Sequence, residues 1–328
     1  MEKHDVIIVG GGVSGLIAGY VFAARGQPAT VLEPHRLGGD FLAGGLKYIH
    51  RTDAMEKLFN ELLLPWSDYQ VNGGIMLRGK VFPYPKCLGE FPATESQRIQ
   101  ADHFRKTRRT EPTKFGSKSM NDPGSAKTSR RAIRCDFEDM VKSLSGFSTI
   151  AKRGLKWIAS DKNQILLDDD TWVEYEYLVV TIPLWVIRQM CDFYVPQGMA
   201  MSLNLLHVIP NRDRYARWDY VYTPYTPGDA VHRFSPSGSD GYTVEVNGDW
   251  ERQQPGTYDD LAFLFYDGFQ IKDVKVGMKG HLLELQEKPQ WPENVAPLGR
   301  FAQWDPRSTT DVTLVNAHRL ADKWGFHA

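Results

Sequence analysis

Asp5-Val6-Ile7-Ile8-Val9-Gly10-Gly11-Gly12-Val13-Ser14-Gly15 lies near the start of the chain, and Glu33 closes the next apolar run. Val6 to Val9 is apolar without alternation, the pattern of a parallel strand buried on both faces. Gly10, Gly12 and Gly15 follow in G-x-G-x-x-G order, and Ser14 to Arg25 reads as a helix. The first glycine allows a tight turn, the second lets a pyrophosphate approach the backbone, and the third lets helix and strand pack closely. A helix beginning around Val13 and Ser14 offers free N–H groups and a positive dipole end to phosphates. Ala29 to Leu32 reads as a second strand. It delivers Glu33 about 20 residues past the glycines, where a carboxylate binds a ribose 2′-hydroxyl. Strand, glycines, helix, strand and acid occur in order, so the segment predicts a dinucleotide site at the head of a βαβ unit. The competing reading is a glycine-rich turn in an unrelated α/β domain.

Beyond Glu33 the chain reads Pro34-His35-Arg36-Leu37-Gly38-Gly39. Glutamate followed five residues later by a glycine pair resembles the extended FAD-binding signature of the FAD-dependent amine oxidase superfamily. Within that superfamily the chain is most similar to the UDP-galactopyranose mutase-like branch, and four stretches carry the likeness. Gly45-Leu46-Lys47-Tyr48-Ile49-His50-Arg51-Thr52-Asp53 resembles the branch's segment that lies against the flavin. Val81-Phe82-Pro83-Tyr84-Pro85 resembles its short strand and proline turn, and Leu178-Val179-Val180-Thr181-Ile182-Pro183 the strand that returns to the FAD domain. Leu298-Gly299-Arg300-Phe301 with Thr310-Asp311-Val312 resembles its C-terminal second FAD motif. The resemblance implies tight, non-covalent FAD held by Gly10, Gly12, Val13, Ser14, Gly15, Glu33, Pro34, Arg36, Gly38, Gly39, Gly45, Leu46, Thr181, Gly299, Arg300, Asp311 and Val312. Lys47 stands where the mutase pattern has a histidine, a departure that weighs against the mutase reaction itself.

The 328 residues allow one or two domains, and 42% hydrophobic content supports a sizeable core. The net charge of −1 gives the whole molecule no preferred partner. Cys87, Cys135 and Cys191 are widely spaced, which fits a reducing compartment and supplies no metal motif. No apolar stretch approaches the ~20 residues of a spanning helix, and the first strand leaves no room for a signal peptide. The expectation is a soluble cytoplasmic protein.

The expected class is α/β: a Rossmann-like FAD-binding parallel sheet with an inserted antiparallel-sheet substrate domain. Residues 1–66, 149–188 and 291–328 are assigned to the FAD-binding domain, 67–148 to a cap region and 189–290 to the substrate sheet. Helices are expected over 54–64, where Met55, Leu58, Phe59 and Leu62 share a face, and over 136–145 and 310–324. Residues 67–83 read as a hairpin turned at Asn72-Gly73-Gly74 or at Arg78-Gly79-Lys80. From about 149 to 181, strands turned at Asp168-Asp169-Asp170 lead back to the FAD domain. Residues 203–209, 219–223, 231–234, 242–246 and 261–266 read as strands of the substrate sheet.

Residues 97–134 differ from the rest. They hold eleven Lys or Arg against three Asp or Glu, while the remaining chain holds 28 basic and 37 acidic residues. Aliphatic side chains are scarce there, so the segment buries too little apolar surface to fold alone. Charge segregated this way suits a polyanion, because each Lys or Arg that neutralises a phosphate releases counterions. The competing readings are a solvated surface loop and a clamp for the diphosphate of a sugar nucleotide.

A flavin carries the redox chemistry and the protein supplies placement and electrostatics, so few side-chain catalysts are expected. Lys47 and His50 are candidates because their segment resembles the flavin-facing one; the alternatives are a surface lysine and a structural histidine. Tyr220, Tyr222, Tyr225, Arg233 and Tyr242 cluster in the expected substrate sheet, where aromatics are more often core. Arg233 and Tyr222 are the candidates there, since a charged residue inside Val231-His232-Arg233-Phe234 needs an anionic partner if buried. Trp304 is expected to line the cavity. Three functions follow. The first is a flavin oxidoreductase or lyase acting at the C–N bond of an amine, including an amino-acid-modified base carried on DNA. The second is a sugar-nucleotide mutase using reduced FAD, and the third a non-catalytic dinucleotide-binding protein.

Overall fold

Glu2–Val9 is the hub of the first sheet, running parallel to Ala29–Leu32 on one side and to Trp172–Val180 on the other. Ser148–Ala151 extends the parallel set beyond Ala29–Leu32. Trp172–Val180 forks: Leu178 to Val180 pair in parallel with Val295–Pro297, while its first residues pair antiparallel with Gln164–Leu167, which pairs with Leu155–Ala159. The computed structural model describes residues 2–39, 48–84, 87, 90–99, 131–197, 200–223, 230–237, 241–248, 250–282, 285, 287–304 and 308–327. Gly45, Leu46, Lys47, Pro85, Tyr225 and residues 100–130 of the basic segment lie outside them.

The chain divides into two units: Met1–Tyr69, Arg131–Met199 and Glu284–Ala328 form one, Gln70–Arg130 and Ala200–Leu283 the other. The first unit claims more than the expected FAD-binding segments. Residues 131–148 join it because Arg131–Arg134 pairs with Ile49–His50, and Ser148–Ala151 with Ala29–Leu32. Residues 189–199 join it through the Ile158–Cys191 bridge, and Gln290 N–H bonds the Tyr194 carbonyl at 3.3 Å.

The helix Val13–Ala23 connects the first two strands. It is buried on nearly every side, from Val13 through Phe22, as a helix apolar all round must be. It packs against Phe137–Ser145 and Thr310–Lys323 as well as the sheet. Phe22 packs against both Trp324 and Phe326, with ring centroids 5.9 and 5.7 Å away. Each such fully buried side chain contributes about 1.5–3 kcal/mol. Polar residues set the neighbouring helix starts. Thr52 Oγ1 accepts from Met55 N–H at 3.3 Å ahead of Asp53–Glu61, and Asp136 accepts from Glu138 and Asp139 N–H ahead of Phe137–Ser145.

In the second unit seven described strands form one sheet, in the order Phe269–Leu282, Ala200–Pro210, Tyr242–Asn247, Val231–Pro236, Tyr220–Tyr222, Gly73–Leu77 and Lys80–Pro83. The pairing is antiparallel apart from Tyr220–Tyr222 with Gly73–Leu77. The hairpin turns at Arg78-Gly79, with φ of 51° and 75°, the left-handed pair of a two-residue turn. Ser67–Gln70 is not its partner but lies in a three-stranded sheet with Arg131–Arg134 and Ile49–His50.

The expected strand at 261–266 is instead the end of a helix, Trp250–Leu264. The burial there has helical period: Thr257, Asp260, Leu261, Leu264 and Phe265 face inward while Tyr258, Phe263 and Tyr266 are exposed. Pro255 and Gly256 obscured the helix by breaking its propensity in the interior. Its inner face covers Leu206, Val208, Val231, Phe234, Val244 and Val246 on one side of the sheet.

Candidate dinucleotide site

Four parallel strands of the first unit end in register. Val9 pairs with Leu32 and with Val180, and Val180 pairs with Pro297. The residues that follow them are Gly10, Glu33, Thr181 and the Leu298-Gly299 pair, all sequence candidates or their neighbours. The carboxyl edge of a parallel sheet is where doubly wound folds bind ligands, because loops and helix N-termini converge there.

Each glycine of the motif answers to a different constraint. Gly10 has φ +104°, and a Cβ there would stand 2.5 Å from Thr181 Oγ1, so the turn admits glycine on two counts. Gly15 has no room for a Cβ, which would meet the Gly10 carbonyl oxygen at 2.0 Å. Gly12 is different: its φ is −66°, and a Cβ would meet none of the described residues within 4 Å. Neither conformation nor packing among the described residues requires glycine at this position. A pyrophosphate laid on the backbone at the helix N-terminus does require it, so the residues fit a dinucleotide.

The turn after Ala29–Leu32 folds back over the motif. Gly11 N–H donates to Glu33 Oε2 at 2.8 Å and His35 N–H to Oε1 at 2.9 Å. Gly38 N–H donates to the Gly11 carbonyl at 2.8 Å, and Gly38 bridges Gly12. The glutamate is thus held by the loop it serves, with further lone pairs on each oxygen for a ribose. Gly39 closes the turn with φ +51°, and Pro34 is exposed. Arg36 reaches outward to Glu138 at 2.8 Å. Sequence reasoning missed Lys152, which follows the outermost parallel strand and donates to the His35 carbonyl at 2.5 Å.

Thr181 secures the centre of the edge, its hydroxyl donating to the carbonyls of Val9 at 2.9 Å and Gly10 at 3.1 Å. Gly299, with φ +89°, comes so near the first helix that a Cβ would stand 2.3 Å from Ser14 Oγ. The C-terminal motif is therefore packed on the N-terminal one, 285 residues away in sequence. The Arg300 guanidinium lies 5.7 Å from the Phe301 ring. Trp304 is buried, in the left-handed region at φ +54°, with Trp185 edge-on at 5.9 Å. His50 Nδ1 lies 3.9 Å from Asp311 Oδ1 in the first turn of Thr310–Lys323, and Tyr48 stacks on the imidazole at 5.5 Å. Thr309 Oγ1 donates to the same Asp311 oxygen at 2.6 Å, and Val312 is half-buried beside it.

The second unit gathers part of its expected cluster. Tyr220 and Tyr222 flank Arg233, each ring 5.9 Å from the guanidinium. The anion that a half-buried arginine needs is Glu245 on the adjoining strand. Tyr242 departs from the expectation: it lies on the opposite face, in the apolar core under the helix, its hydroxyl donating to Asp213. Strand alternation separates it from Arg233.

No family model matches the chain. Its fold is shared by known structures. It resembles reduced UDP-galactopyranose mutase with a TM-score of 0.71 at 12% identity, over 98% of this chain and 94% of that one. An oxidoreductase from Methanosarcina mazei superposes with a TM-score of 0.71 at 9% identity, over 98% and 100%. Putrescine oxidase bound to putrescine gives 0.59 at 12% identity, over 98% and 99%. The likeness read from the motifs thus holds at the level of the fold, an α/β fold with a parallel-containing sheet and a separate, mainly antiparallel one.

Proposed function

We propose that this protein is an FAD-dependent enzyme that acts at the carbon–nitrogen bond of an amine. The cofactor half rests on one observation: four parallel strands end together at Gly10, Glu33, Thr181 and Gly299, with no described residue within 4 Å of a Cβ built on Gly12. The Gly10–Gly15 loop and the N-terminus of Val13–Ala23 would take the pyrophosphate, Glu33 the adenosine ribose, and Gly299-Arg300 the second side of the phosphates. FAD, when bound, supplies the hydride acceptor. The chain's own part is placement: the N-terminus of Thr310–Lys323 favours negative charge near it, and His50, close to Asp311, is placed to hold a proton there. Lys47 is the further candidate for holding a water or an anionic group.

The amine half is supported by the fold shared with putrescine oxidase. The basic segment extends it: eleven cationic residues within 97–134 suit an amine carried on DNA, such as an amino-acid-modified base, released by oxidation or elimination. The fold match to reduced UDP-galactopyranose mutase favours a second reading, a sugar-nucleotide isomerase.

One set of experiments separates these. The purified protein should show flavin absorbance and release FAD on denaturation. Anaerobic addition of amines should bleach the flavin, whereas a mutase would convert a UDP-hexose without net bleaching. A colourless protein that also fails to take up FAD refutes the flavoenzyme. Labelled DNA should bind with an affinity that falls steeply with salt and is lost when residues 100–130 are deleted, which keeps the strand Arg131–Arg134; absence of binding at low salt removes the nucleic-acid extension.

A further inference from the structure

The hairpin of Gly73–Leu77 and Lys80–Pro83 turns through two residues, Arg78 and Gly79, with Leu77 opposite Lys80. Both turn residues have positive φ, 51° and 75°. A turn of this kind favours Asn, Asp or Gly at its first position and Gly at its second, because most side chains are strained in the left-handed region. Gly79 fits that preference and Arg78 departs from it. The arginine returns little to the fold. Its side chain is 80% exposed, and its bond to Glu95 Oε1 at 2.9 Å is an exposed ion pair of small worth. Strain kept at a residue without a stabilising return points to a role outside the fold.

The neighbours of Arg78 indicate which role. Arg98 donates to the same Glu95 oxygen at 3.0 Å, so two guanidinium groups converge there. Lys80 is exposed, and its place opposite Leu77 puts it on the sheet face against which Cys87 and Ile99 pack. Residues 93–99 are helical and carry both Glu95 and Arg98. Arg78, Lys80 and Arg98 thus set three positive charges against the single negative charge of Glu95. Arg98 is also the first of the eleven cations within 97–134. The hairpin turn therefore stands at the head of the most basic stretch of the chain.

We propose that the turn Arg78-Gly79-Lys80, with Arg98 beside it, is a phosphate-contacting point of a nucleic-acid interface. Glu95 engages one of the five guanidinium donors of Arg78, and the others face solvent. Arginine takes a phosphate through parallel N–H donors. Such contacts position the nucleic acid without reading its sequence. At Gly79 a built Cβ meets no described residue within 4 Å, so the backbone of the turn is open to a strand laid across it. The assignment rests on the nucleic-acid reading above and adds Arg78 and Lys80, which lie outside residues 97–134, to the surface that would hold the DNA.

The test separates the contact from the fold. Asparagine is a residue this turn prefers, so Arg78→Asn removes the charge and relieves the backbone together. The full chain, Arg78→Asn, Lys80→Gln and the double variant are compared by fluorescence anisotropy with a labelled DNA duplex at several salt concentrations. In the double variant the slope of log K against log salt should become shallower by about 2, one phosphate contact for each residue changed. Its affinity at low salt should drop about tenfold or more. Arg78→Lys, which keeps the charge, should keep the slope. Arg78→Asn should melt at the parent's temperature or above it; a lower melting temperature would mean that arginine serves the turn and would overturn the proposal. An unchanged slope and affinity in the folded double variant overturns it too. If Arg78→Asn does not fold, Lys80→Gln decides through its own slope change of about 1. Should the intact chain bind no DNA at low salt, the nucleic-acid reading falls and this contact with it, whereas binding that persists undiminished in the double variant removes this contact alone.

Discussion

Gly12 and Gly15 belong to one motif and answer to different neighbours, which separates cofactor binding from folding at the residue scale. A Cβ at Gly12 meets no described residue at an ordinary φ. Gly12→Val should therefore fold with a denaturation midpoint near that of the flavin-free parent, yet lose flavin, as read by absorbance after gel filtration. Full flavin content in that variant would refute the site. Gly15→Ala drives a methyl into the Gly10 carbonyl. It should destabilise the fold itself by about 1–3 kcal/mol, the cost of overpacking. Glu33 couples the two properties, since its carboxylate accepts from Gly11 and His35. Glu33→Ala should raise the FAD dissociation constant and cost about 1 kcal/mol of stability through the lost bonds; unchanged FAD retention on dilution would count against its role. These glycines were legible from spacing alone because the backbone geometry they permit is local. Lys152 was not, because its partner His35 lies 117 residues away, and Glu245 was not, because only pairing register sets it opposite Arg233.

Among the elements, those with strong end signals were read nearly to the residue. Phe137–Ser145 begins after Asp136, whose carboxylate accepts two backbone N–H groups. Asp136→Ala should lower stability by about 1 kcal/mol, measurable as a shift of the urea midpoint at unchanged slope. Trp250–Leu264 was misread because its interior holds Pro255 and its buried residues bunch at the end. Proline there removes one helical bond and crowds the preceding turn, so Pro255→Ala should raise stability, by at most about 3 kcal/mol. A lower melting temperature in that variant would mean that the turn is stabilised in another way. The strand Phe269–Leu282 went unread although Val274, Val276 and Met278 alternate with Lys275, Gly277 and Lys279; Asp273 interrupts the alternation after Ile271, and the pairing with Ala200–Pro210 carries the strand across it.

For the whole molecule, burial of titratable groups sets the response to alkali. Burial raises the Cys87 thiol from 9.0 to about 11, with Glu90 adding to it, and the Cys135 thiol to about 12, with Asp136 adding to it. Burial likewise raises the Tyr20, Tyr175 and Tyr242 hydroxyls, helped by nearby carboxylates. These groups keep their protons in the folded state at pH values where the unfolded chain has lost them. The unfolded chain then binds fewer protons, so stability falls as pH rises. The denaturation midpoint should hold up to about pH 9 and decline from there to about pH 12. Thiol reagents at pH 8 should label these cysteines slowly until the protein is unfolded; rapid labelling of the native protein would contradict their burial. By itself the sequence determined the glycine loop between the first strand and helix, the acid after the second strand, the helices near 53–61, 137–145 and 310–323, and the segregation of positive charge, though not that Arg131–Arg134 at the end of the basic segment is a strand. All of these depend on residue spacing within a strand, a turn or a helix. Only the tertiary structure decided which strands stop together, that Gly299 seats against Ser14, that residues 131–148 join the first unit, and which tyrosines share a face with Arg233. Those outcomes depend on pairing register and close packing between distant segments, and a one-residue change of register would turn every side chain to the other face.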